Sequence, residues 1–84
     1  MAAPKRLYAV EVEWVDSAFN RGWGNAAVKT REMDISICRT VGYLISRDKK
    51  AIKLAMNSAD NDESLGDGIS IPAVAVRRVT RLTK

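Results

Sequence analysis

The chain has no histidine, a single cysteine, two prolines and few aromatics (two tryptophans, two tyrosines and one phenylalanine). Each shortage removes a class of answer. With Cys38 alone and no imidazole, neither an intrachain disulfide nor the usual Cys/His zinc set can be assembled. The commonest general base is missing as well. No hydroxyl or thiol has a local base beside it, and no glycine-rich loop leads into Lys followed by Ser or Thr, so the residues read as those of a non-enzyme with no cofactor. No apolar run approaches the roughly 18 to 20 residues of a membrane span, and "MAAPKRLYAV" has no long apolar stretch behind its basic residues to act as a signal peptide. The expectation is a soluble, cytoplasmic chain without a membrane partner, and a lone buried thiol suits a reducing compartment.

What remains is a thin core and a modest positive charge. A chain of 84 residues makes one domain and hides only about 60 to 65% of the surface its unfolded form exposes. With disulfides and metals excluded, oligomerisation is the remaining route to stability. Fourteen Lys and Arg against ten Asp and Glu leave a net charge of +4, which is compatible with a nucleic-acid partner and modest for a dedicated binder.

The clearest pattern is "RLYAVEVEWVD", where Tyr8, Val10, Val12 and Trp14 alternate with Ala9, Glu11 and Glu13 and predict a half-buried strand over residues 6–15. From about 16 to 33 the alternation dissolves into "DSAFNRGWGNAAVKTREM", a long loop with a short helical turn near Ala26 to Arg31. Strands follow over 34–39 and 40–47, joined through Gly42 into one bent strand, since glycine inside a strand pattern marks a bulge or bend. The polar turn "SRDKK" leads into a strand over 51–58. "SADNDESLGDG" reads as a mobile acidic loop, then come a strand over 68–72, a tight turn at "PAVA" and a last strand over 75–82. A helix from Ala73 to Thr83 is the alternative, disfavoured by the β-branched run after Pro72. The sum is an all-β chain: a small, strongly bent antiparallel β-barrel of about five strands.

Gly42, Leu44, Asp48, Ile52 and Leu54, followed after a polar gap by Ile71, Ala75, Val76 and Val79, resemble the two-part signature of the Sm-like family. Trp14, Asp16, Ser17, Val41, Gly42, Tyr43, Leu44, Ile71 and Pro72 are also similar to positions in small uncharacterised phage proteins. The Sm-like resemblance covers about half the chain and implies a bent five-stranded sheet. It further implies a homo-oligomeric ring closed through edge strands, here the last strand, Val76 to Leu82, and binding of RNA or single-stranded nucleic acid. A ring would satisfy both exposed sheet edges and add burial. Two departures stand out. "MAAPKRL" is too short for the family's usual opening helix, and the turn "IPAVA", where the family uses polar or basic residues, offers no polar side chain.

The resemblance makes the turn residues Arg47, Lys49 and Lys50 the phosphate contacts, against the ordinary reading of a solvated hairpin turn. Trp23 beside Arg21 suits stacking on a base; alternatively Phe19 and Trp23 fold back as a lid on the barrel. "RRVTRLTK" is equally a nucleic-acid contact or a strand edge protected by charge. Cys38 reads as a small core residue and Trp14 as core. "DNDESLGDG" fails the calcium-loop spacing, with Leu65 and Ile71 where glycine and glutamate belong. The alternative function is a non-enzymatic module in which the loops Phe19 to Arg31 and Asp60 to Asp67 meet a protein or small ligand.

Overall fold

Alternation of β-branched and charged residues builds the first strand of the computed structural model, which describes residues 6–17 and 21–83. This strand, β1, spans Ala9–Asp16, and a short helix, α1, spans Ala26–Glu32. Four further strands follow: β2 (Ser36–Arg47), β3 (Ala51–Ala59), β4 (Ser64–Pro72) and β5 (Val76–Arg81), with one 3-10 turn, Ala73–Ala75, between the last two. All pairings are antiparallel in the order β4-β3-β2-β1-β5, so the chain is all-β apart from α1. The segments over 34–39 and 40–47 form one continuous strand, the bent strand that Gly42 suggests. The last segment is extended, not helical, as a β-branched run after proline favours.

The sheet curls over itself. On a flat sheet β1 and β4 would lie about 14 Å apart, three spacings of about 4.8 Å, yet Val10 and Val12 of β1 share one buried cluster with Ile52 and Leu54 of β3 and Ile71 of β4. Tyr8, Trp14, Leu44, Ile69, Ala75, Val76 and Val79 pack around it. Burial of each aliphatic side chain is worth about 1.5–3 kcal/mol, so five of them make a thin core. The curl also brings the β3–β4 turn onto the segment entering β1. There the Leu7 amide donates to Asp62 Oδ2 at 2.8 Å, Arg6 Nε lies 3.8 Å from the same oxygen, and Ser58 Oγ donates to the other.

Gly42 makes the curl sterically available. A Cβ there would lie 2.9 Å from the Ala55 carbonyl oxygen, 2.9 Å from Met56 Cε and 3.1 Å from Leu54 Cβ. The ladder between β2 and β3 begins beside it, at Tyr43, and skips Ile45 in a bulge. Closure stops short of a barrel: β4 and β5 are the two edges, and no ladder joins them among the described residues. The acidic stretch is also not a loop. Asp60, Asn61 and Asp62 take φ of 55°, 54° and 70°, the left-handed region that Asp and Asn tolerate best after glycine, and the chain reverses at once into β4.

Beyond the reach of β3 and β5, β1 and β2 continue as a two-stranded ribbon, Val15 opposite Ile37 and Asp16 opposite Ser36. The ribbon carries the long connection as an arm, and the chain measures 63 × 21 × 21 Å. Its radius of gyration is 17.0 Å, against about 12 Å for a compact domain of this length. The face of β2 opposite the core leaves Ile37, Val41, Tyr43 and Ile45 exposed.

Candidate nucleic-acid interface

The turn between β2 and β3 is built by Asp48. Its Oδ1 accepts from the Lys50 amide at 2.8 Å and the Ala51 amide at 3.0 Å, while its own amide donates to the Ala51 carbonyl at 3.0 Å. Aspartate in a turn commonly bonds the backbone two residues on. These two amide donors, Ala51 first and Lys50 second, hold the Asp48 carboxyl below its ordinary value, and nearby Lys53 adds to the effect. With the backbone locked by the carboxylate, Arg47, Lys49 and Lys50 are all exposed.

A second turn meets the first. The Ala73 amide donates to the Lys50 carbonyl at 2.9 Å, so the 3-10 turn before β5 is pinned against the basic turn. Arg47, Asp48, Ile52, Ala73 and Val76 line a cavity of ≈ 140 Å³ between them. Lys53 and Arg77 are exposed nearby in sequence, and Val74, 97% exposed, forms the tip of the second turn. Chemically the end of the molecule offers cations for phosphate and an apolar cleft. Among the described residues, no group of three or more His, Cys, Asp and Glu could hold a metal ion.

The other expected contacts lie elsewhere. Arg21 and Trp23 sit on the arm, beyond the N-terminal end of β2, whereas Arg47 ends that strand; eleven steps of about 3.3 Å separate the strand ends. The two sets of predicted residues therefore do not converge within one protomer. Trp23 is fully exposed, so it is not a lid on the core, and Phe19 lies outside the described residues.

The basic last strand divides its charges. Arg78 Nη2 lies 3.6 Å from Glu13 Oε2, its partner across the ladder, and the Arg81 guanidinium stacks 3.9 Å from the Tyr8 ring centre. Arg77 falls at a bulge, skipped by the β1–β5 ladder. Trp14 packs against the core with its Nε1 donating to Thr40 Oγ1 at 2.9 Å, and Cys38, across from it, is half-buried. Composition alone shows neither cross-strand use of the arginines, because both depend on register.

No protein-family model, curated protein or solved structure matches this chain.

Proposed function

We propose that this protein is an Sm-like homo-oligomeric ring that binds RNA or single-stranded DNA through the turn Arg47–Lys50. The observation that carries the reading is the pinning of that turn to the one before β5, which gathers Arg47, Lys49 and Lys50 with an apolar cleft at one end of the molecule. One turn alone offers three cations. Repeated around a ring, such turns concentrate positive potential enough to hold a single strand.

Three features support assembly. The curled sheet ends in two unpaired edges, and a nine-residue edge such as β4 is a template for another strand. The edges differ in charge: β4 and its leading turn carry Glu63 and Asp67, and β5 carries Arg77, Arg78 and Arg81. Head-to-tail pairing would bring opposite signs together and generate a closed ring when the rotation closes. Finally, a lone protomer leaves Ile37, Val41 and Ile45 facing water on one strand.

The resemblance that suggested this family is consistent with the packing. Of its positions, Gly42 permits the curl, Asp48 forms the turn, and Ile52, Leu54 and Ile71 are buried. Sedimentation equilibrium tests assembly, with a discrete multi-subunit species expected at tens of micromolar and a monomer contradicting the ring. A folded oligomer that binds neither oligo-U nor oligo-A at low salt would instead favour a protein- or small-ligand-binding module.

A further inference from the structure

We infer that residues 36–40 of β2 pair antiparallel with residues 36–40 of a second copy, about a two-fold axis at Cys38. β1 covers one side of this stretch, from Asp16 opposite Ser36 to Val12 opposite Thr40. The other side is bare. The ladder between β2 and β3 begins only at Tyr43, and among the described residues no backbone hydrogen bond outside the β1 ladder reaches residues 36–41. Alternate residues of a strand turn their amide and carbonyl away from a given neighbour, so an uncovered side is a row of unpaired donors and acceptors. The ribbon also lacks a third strand at its end, because the ladder between β1 and β5 stops at Trp14. Two strands alone are marginal in water.

The residues on this edge select a second copy of the same edge. Strand edges that stay single are guarded by lysine, proline or several charges, whereas "SICRT" carries one charge, Arg39. Ile37, Arg39 and Val41 share one face of the strand and Ser36, Cys38 and Thr40 the other, so a pairing must match odd residues with odd and even with even. That leaves few registers. Centring on Arg39 sets two guanidinium groups directly opposite each other, which is destabilising. Centring on Ile37 draws in Asp34 and Ile35, which precede the strand. Centring on Cys38 keeps five residues of each copy inside β2. Ser36 then meets Thr40, a hydroxyl pair that bonds well across strands, and Ile37 meets Arg39, whose aliphatic stem can lie along it. Just beyond, Ile35 meets Val41, and these are 60% and 52% exposed in the protomer. The two sheet edges are poorer occupants: β5 would bring Arg77, Arg78 and Arg81 towards Arg39, and β4 is interrupted by Gly66, Gly68 and Pro72. The product is a four-stranded sheet in the order β1-β2-β2-β1, joined by an isologous contact. It uses neither β4 nor β5 and does not rest on the ring reading.

The single cysteine reads the axis directly. Directly opposed residues of antiparallel strands have Cα atoms about 4.5–5.5 Å apart, a distance that a disulfide spans. Treatment of the unaltered protein with the thiol oxidant diamide at tens of micromolar should therefore give a disulfide-linked dimer on a non-reducing gel. Register is read in a Cys38→Ser background. Chains with Ser36→Cys and chains with Thr40→Cys should cross-link when mixed, whereas each alone should not, because like positions then lie four strand steps, about 13 Å, apart. Charge gives an independent check at a position exposed in the protomer. Ile37→Lys opposes a lysine to Arg39 of the second copy and should suppress cross-linking through Cys38 at least several-fold, while Ile37→Glu should preserve it, with circular dichroism confirming that both variants fold. Three results overturn the two-fold pair: Cys38 that stays uncross-linked, Ser36→Cys or Thr40→Cys chains that link to themselves as readily as to each other, or Ile37→Lys that links as readily as Ile37→Glu. A protein that meets any of these and still sediments as an assembly leaves the ring standing, and one monomeric at all concentrations overturns both.

Discussion

Replacing Gly42 by alanine should destabilise the protein, although alanine in a strand is ordinarily better than glycine by about 0.5–1 kcal/mol. The added methyl would meet the Ala55 carbonyl oxygen and Met56 Cε at 2.9 Å each and Leu54 Cβ at 3.1 Å. Met56 can swing aside, but a backbone carbonyl held in the curled sheet cannot without shifting β3. Overpacking of this kind costs about 1–3 kcal/mol. Set against the intrinsic gain of about 0.5–1 kcal/mol, the net loss is about 0–2.5 kcal/mol, centred near ~1 kcal/mol, and for a domain of this size each kcal/mol lowers Tm by about 4–8 °C. Thermal and urea unfolding followed by circular dichroism would read it, at one fixed protein concentration because assembly makes Tm depend on concentration. Gly66→Ala is the control: its Cβ would meet Asn57 Cβ at 3.6 Å, an ordinary contact, and it should be neutral or stabilising. A Gly42→Ala protein that melts at or above the unaltered one would refute the claim that this glycine lets the sheet curl.

Truncation of fully buried Leu54 to alanine should cost about 2–5 kcal/mol, a large share of the 5–15 kcal/mol available to small domains, and the urea midpoint should collapse. Trp14→Phe and Thr40→Val each remove one side-chain hydrogen bond worth about 0.5–1.5 kcal/mol; the double variant should lose less than the sum. Asp48, held by the Ala51 and Lys50 amides, and Asp62, held by Ser58 and Leu7, both have carboxyls below the ordinary 3.8. Their contribution is complete above that value and lost as pH falls through the lower folded values, so acid unfolding should steepen below it, and Asp48→Asn with Asp62→Asn should flatten the decline.

Legibility in the sequence followed the length scale of the signal. Strict alternation disclosed β1, the helical turn near Ala26 to Arg31 was legible without its cap at Asn25, and the bend at Gly42 was legible because nothing but a bend or bulge calls for glycine amid Val41, Tyr43 and Leu44. The turn at Asp60–Glu63 was missed because its acids suggested a loop, whereas Asp and Asn there supply left-handed backbone to a tight reversal. Register was beyond reach, and with it the engagement of Arg78 by Glu13 and Arg81 by Tyr8. Arg47, Lys49 and Lys50 were found from local pattern and fall on one turn, but their junction with Ala73 depends on a contact between residues distant in sequence. Trp23 was separated from them by topology: only the length of β2 sets the arm and the basic turn at opposite ends.

Electrostatic capture of a single strand by repeated basic turns makes oligo-U binding depend on salt. Fluorescence anisotropy of a labelled strand should show log K falling linearly with log salt, by about 0.7 per phosphate contact for a single strand, and Lys49→Ala with Lys50→Ala should make that slope shallower. A folded, assembled protein whose oligo-U affinity is absent at low salt, or whose slope is untouched by removing both lysines, would contradict it.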